Sequence, residues 1–149
     1  MPVKPILAIG VVVLAGVGYM ALNATRNTSR PLAVAESQPA AHSDALVDIV
    51  LPATLSANAQ VGQRVFEAAC ASCHGQNAVG RDGFAPPLVH RIYEPSHHGD
   101  AAFLRAVQNG VAPHHWRFGA MPPIDGLTGG DVAKVVAYVR ALQQANGIR

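Results

Sequence analysis

The sequence predicts a small all-α domain, residues 57–149, preceded by an apolar N-terminal helix (1–24) and a flexible linker (25–56). Three observations lead there. Apolar residues recur at helical spacing in three stretches of the second half of the chain. The segments between them are rich in glycine and proline, which excludes regular structure. And although half of the chain is hydrophobic, only 5% is aromatic, so the domain's own core is thin. A body of about 90 residues with so little to bury ordinarily needs a staple.

In chain order, Ile6 to Leu22 comes first: seventeen residues without a charge, with Lys4 just before them. As a helix they rise roughly 25 Å, near the lower limit for crossing a bilayer. A cleaved signal peptide is the competing reading. It needs a small-x-small site just beyond a shorter apolar core. Leu22-Asn23-Ala24 is a poor site and Ala33-Val34-Ala35 lies far downstream, so an uncleaved anchor is favoured. Lys4 on one side and Arg26 and Arg30 on the other leave its orientation undecided by charge. The net charge of +2 comes from basic residues scattered singly, which gives no surface for nucleic acid.

The next stretch, "NATRNTSRPLAVAESQPAAHSDA", holds no helical or alternating pattern and reads as a tether. "ALVDIVLP", Ala45 to Pro52, is an exception: a short apolar run suited to packing as an extended arm. Ser56 or Asn58 then caps a first helix in which Val61, Val65, Phe66 and Ala69 share one face. A second helix follows the loop "GQNAVGRDGFAPPLV", with Asp100 as N-cap, Phe103, Leu104 and Val107 as its stripe, and Gly110 as its stop. Thr128 opens the last helix, with Asp131 completing a capping box. Its buried stripe is Val132, Val135, Val136, Val139 and Leu142, and Asn146-Gly147 ends it.

The chemistry is concentrated in "EAACASCHG". Cys70 and Cys73 are the only cysteines in the chain, and His74 follows directly. At the end of a helix these positions, i, i+3 and i+4, project from one face. A redox-active C-x-x-C belongs in a βαβ setting, which is missing here. A structural zinc site needs two more ligands, without the usual paired spacing to supply them. C-x-x-C-H is also the attachment site of a c-type haem, with two thioethers to the porphyrin and the imidazole on iron. Haem c, one group held through Cys70 and Cys73, is the reading that also supplies the missing core.

For the second axial ligand, thioether sulfur is common in electron-transfer cytochromes. Met1 is the initiator and Met20 lies in the anchor, which leaves Met121, in the proline-flanked loop "GAMPP" just before the last helix. His114 and His115 are the rivals.

On these residues the domain resembles the class I, monohaem bacterial cytochrome c family, from about Ala57 to Leu142. "GQRVFEAACASCHG", "GFAPPL", "FLRAVQNG", "GAMPP" and "AYVRALQ" occur in the family's order, and the pair "CASCH" and "AMPP" is the most specific part. The resemblance implies a cytochrome c fold in which the first and last helices cross beside the haem, with Gly62, Phe66 and Tyr138 at the crossing. It also implies that a carbonyl in the "APP" turn, Pro86 before Pro87, accepts a hydrogen bond from the ligating imidazole. The sequence departs from the simplest family pattern in "HRIYEPSHHGD" and "PHHWRFG". Five histidines fall there, His90, His97, His98, His114 and His115, an imidazole set suited to copper or another metal. Trp116 and Arg117 are candidates for a haem propionate.

The function expected is one-electron transfer through a haem iron held by His74 and Met121. With both axial positions filled, catalysis is not expected. The implied partners are a redox donor and acceptor, with the N-terminal helix in the cytoplasmic membrane and the haem domain in the periplasm. A soluble periplasmic domain after cleavage is the alternative. Two other functions compete: a haem subunit of a larger oxidoreductase, and a haem enzyme or sensor with a displaceable sixth ligand.

Overall fold

A computed structural model describes residues 44–149. The expected anchor (1–24) and the linker as far as residue 43 lie outside the described residues. From residue 44 onward the chain belongs to one compact unit. The order is helical with almost no strand: α1 (Ala57–Ala69), a one-turn α2 (Ala71–His74), α3 (Asp100–Asn109) and α4 (Gly129–Ala145), with 3₁₀ turns at Gln76–Ala78 and Arg91–Tyr93. Among the described residues, no helix is long and apolar enough to cross a membrane.

α1 starts where Ser56 Oγ accepts from the Ala59 amide at 3.2 Å, a side-chain cap that satisfies one of the helix's free N–H groups. Its fully buried positions are Ala59, Gly62 and Phe66. The stripe expected at Val61, Val65 and Ala69 is only half-buried. The reason is the crossing with α4. A Cβ at Gly62 would lie 1.8 Å from the Lys134 carbonyl oxygen, so the smallest residues form the seam and the branched ones flank it. Beside the seam the Phe66 and Tyr138 rings pack tilted, with centroids 5.7 Å apart.

α4 begins with the expected capping box: Thr128 Oγ1 accepts from the Asp131 amide, and the Asp131 carboxylate accepts from the Thr128 amide. Val132, Val135, Val136, Val139 and Leu142 are all buried, joined by Tyr138 and by Gln143. α3 differs from expectation at both levels. Its N-cap is Gly99, with Asp100 inside the first turn. There the carboxylate still faces the helix's positive end. None of α3's residues is fully buried: Phe103 rests on the core but also lines the hollow described below, as Val107 does.

The run Ala45 to Pro52, the arm expected within the linker, is held on the domain by hydrogen bonds. The Leu46 amide donates to the Val79 carbonyl at 3.2 Å and the Asp82 amide to the Asp44 carbonyl at 2.8 Å. Asn146 brackets Val50, accepting from its amide and donating to its carbonyl, each at 2.8 Å. Ile49 and Leu55 rest on the core. The apolar run Ala45 to Pro52 therefore lies along the domain as an arm.

Candidate haem site

α1 does not run straight into the cysteine motif. It stops at Ala69, Cys70 takes φ −119° and ψ −33°, and α2 restarts at Ala71. The break keeps the local geometry, since the Cys73 and His74 amides both donate to the Cys70 carbonyl, at 3.1 and 2.9 Å. Cys70, Cys73 and His74 therefore reach one mostly apolar cavity of about 520 Å³. Met121 lines the same cavity, as do Phe66, Phe103 and Val107. Both thiols are free. Burial, and then the adjacent Cys73, push the Cys70 thiol up to about 11, so it is protonated at neutral pH.

His74 Nδ1 lies 2.9 Å from the Pro86 carbonyl oxygen. A carbonyl only accepts, so Nδ1 carries the proton and Nε2 keeps the lone pair. Burial lowers the imidazole's pKa, opposed by the Pro86 bond, and the ring is neutral and ready to ligate. Of the two prolines considered, the neighbour Pro87 is fully buried beside Gly80, a position kept for glycine by its φ of +79° and because a Cβ there would lie 2.6 Å from Pro87 N.

The Met121 loop is held by more than its prolines. Met121 and Val111 exchange both backbone hydrogen bonds, at 2.9 and 3.0 Å, in an isolated antiparallel bridge. Gly110, at φ +72°, lets the two strands approach; a Cβ there would meet the Met121 carbonyl oxygen at 2.5 Å. The end of α3 thus positions the loop, which the sequence spacing did not disclose.

His114 and His115 also line the cavity, from exposed rim positions. Trp116 lines it too, stacked on Phe118 and edge-on to His90, and its buried Nε1 makes no hydrogen bond of normal geometry. Burial pushes the Tyr93 hydroxyl up to about 12, countered by the nearby Trp116 indole. Arg117 is exposed and is not part of the cavity wall.

Two side chains missed at the sequence level brace the site from behind. Arg140 donates to the carbonyls of Tyr93 and His98, each at 2.6 Å, and pairs with Asp100 at 2.9 Å. Buried Gln143 donates to the carbonyls of Leu88 and Tyr93 at 2.8 and 3.0 Å. In a helical pattern an Arg reads as a solvated charge and a Gln as surface; nothing in the spacing marks them as clamps.

The residues present fit a covalently held haem. Two free thiols, a neutral imidazole with its second nitrogen engaged and a thioether line one mostly apolar cavity, and the buried Trp116 Nε1 beside it has no hydrogen-bond partner of normal geometry. Residues 57–139 match the family model described as cytochrome C oxidase, cbb3-type, subunit III. Cys70, Cys73, His74, Pro86 and Met121 all fall within the match. No curated protein matches the chain.

Proposed function

Because the chain belongs to the family of cytochrome c oxidase, cbb3-type, subunit III, whose cytochrome c domain implies covalently bound haem c, we propose that it carries single electrons between redox proteins through one haem. The haem iron supplies the one-electron chemistry. The chain's own residues do the rest. Cys70 and Cys73 would each form a thioether, His74 would offer Nε2 to the iron, and Met121 would offer its sulfur. Pro86 orients the imidazole and raises its donor strength through the Nδ1 hydrogen bond. The Val111 bridge holds the thioether loop in place, and the apolar walls would shield a bound haem from water, which favours the less charged state of the site. The observation that carries this reading is the His74–Pro86 bond, made beside two free thiols at the edge of a cavity that Met121 also lines.

A second reading rests on the family's own description: the domain works as a fixed haem subunit of an oxidase complex, receiving electrons and passing them on inside it. An uncleaved helix at Ile6–Leu22 would hold the domain at the cytoplasmic membrane with the haem on the periplasmic side, in either case. A soluble periplasmic domain after cleavage is the alternative.

Mass spectrometry of the full-length protein purified from membranes tests these points together. The expected result is the chain plus one haem, with an intact N-terminus and a Soret band. A mass without added porphyrin overturns the haem reading. Co-purification of stoichiometric oxidase subunits selects the second reading over a free carrier.

A further inference from the structure

At the rim of the haem cavity, which His98 and His115 also line, the fold gathers histidines that lie far apart in sequence. His97 and His98 come from the turn before α3, and His115 from the loop leading to Met121. Their ligating nitrogens all lie within 4.8 Å of one another. We propose that His97, His98 and His115 bind one late transition-metal ion, Zn²⁺ or Cu²⁺, at the rim of the haem cavity and independently of the haem iron.

Three features favour a built site over a chance cluster. His97 Nε2 and His115 Nε2 are 3.2 Å apart. That is about the edge of a tetrahedron whose centre lies about 2.0–2.1 Å from each nitrogen, the ordinary zinc–imidazole distance. Second, His98 Nδ1 is 2.6 Å from the Ile92 carbonyl oxygen, so Nδ1 must carry the proton and Nε2 is left as a lone pair. Metal-bound histidines are oriented in this way, by a carbonyl or carboxylate on the other ring nitrogen. Third, the backbone beneath that ring is fixed. Arg140 Nη2 donates to the His98 carbonyl at 2.6 Å, while Asp100 pairs with its guanidinium at 2.9 Å and offsets the charge.

The donor set decides the metal class. Three imidazole nitrogens suit zinc and copper and leave magnesium and calcium, which want oxygen, without ligands. Three protein ligands leave a fourth position to water or to His114, whose ring centroid is 4.3 Å from that of His115. The side chains that would close the wider nitrogen spacings onto an ion, His97 and His115, are both exposed. The bound ion would then join the turn before α3 to the loop carrying Met121.

The test uses the full-length, haem-loaded protein, stripped with a chelator. It is titrated with Zn²⁺ by calorimetry and with Cu²⁺ by electron paramagnetic resonance. One ion per chain is expected, with nitrogen couplings from several imidazoles in the copper spectrum. His97→Ala and His115→Ala should each weaken binding by at least about 100-fold, the upper end of what loss of a supporting group alone costs. Arg64→Ala, on the exposed face of α1 and away from the cluster, should leave it unchanged, and the haem absorption spectrum should not move in any variant. Equal affinity in the His97→Ala/His115→Ala double variant overturns the proposal, as does an equal loss in Arg64→Ala. A shift of the haem spectrum on adding metal overturns it as well, since the ion would then be competing for the haem's own ligands.

Discussion

Asn77 holds φ at +55° and its successor Ala78 at +60°, in a region that side chains other than Asn and Asp seldom enter. The Tyr138 hydroxyl donates to Asn77 Oδ1 at 2.9 Å, tying the turn after the haem motif to the last helix. Tyr138→Phe keeps the ring packing on Phe66 and removes only this bond. It should destabilise the haem-loaded protein by about 1 kcal/mol, read from urea midpoints, with little change in the haem spectrum. Met121→Ala is the complementary case. It should leave the covalent haem mass intact, lower the reduction potential and admit exogenous imidazole or azide at iron, because the thioether that raises the potential is gone. An unchanged potential and spectrum would transfer the ligand role to His114 or His115.

At the scale of elements, the crossing of α1 and α4 rests on one missing side chain. The atoms that a Gly62 Cβ would strike are the Lys134 carbonyl and the Val135 amide nitrogen, backbone that cannot rotate aside. Gly62→Ala should therefore push the helices apart and cost about 3 kcal/mol, at the upper end for overpacking, measured by urea unfolding of the holoprotein. The capping box of α4 makes a second, milder prediction. Hydrogen bonds from Thr128, side chain and then backbone, hold the Asp131 carboxyl below its ordinary 3.8. A carboxyl lowered in the folded state stabilises it fully above its ordinary value and loses that contribution as the pH falls through its own lower one. The stability gap between the wild type and Asp131→Asn should thus be constant from about pH 7 to pH 5 and shrink below about pH 4. A gap that persists to acid extremes would place the carboxylate outside the box. These two helices were legible in the sequence because caps and 3.6-residue periodicity are local signals. The half-buried stripe of α3 was not, because its Phe103 is shared between the core at α4 and the cavity, which Val107 also lines. Arg140, Gln143 and the Val111–Met121 bridge were equally hidden, since each joins segments whose separation carries no pattern. The His97–His98–His115 cluster was visible only as composition, five histidines in two loops, until folding brought the loops together.

At the largest scale, residues 44–149 are built around a space they do not fill. Its buried cluster, with Phe66, Val139 and Leu142 at its centre, lies along the seam of α1 and α4. α3 contributes no fully buried residue, and the cavity it borders measures about 520 Å³. Treated as a sealed void, a volume of that size would cost about 12 kcal/mol at about 24 cal/mol per Å³, as much as the whole stability of an ordinary domain. Access to solvent reduces that figure but wets the apolar faces of Phe103, Val107 and Met121 instead. Either way, the fold needs an occupant, and the two thioethers are what would make the occupant permanent. Replacing both Cys70 and Cys73 by Ala should therefore abolish the added haem mass and with it most of the helical circular dichroism and the cooperative urea transition. Replacing only one should leave a thioether in place and retain a folded, less stable holoprotein. A double variant that stayed helical and unfolded cooperatively without haem would mean that the seam of α1 and α4, with its arm and clamps, is sufficient by itself. The cavity would then be a binding cleft in a finished domain, and the haem would not be the domain's interior.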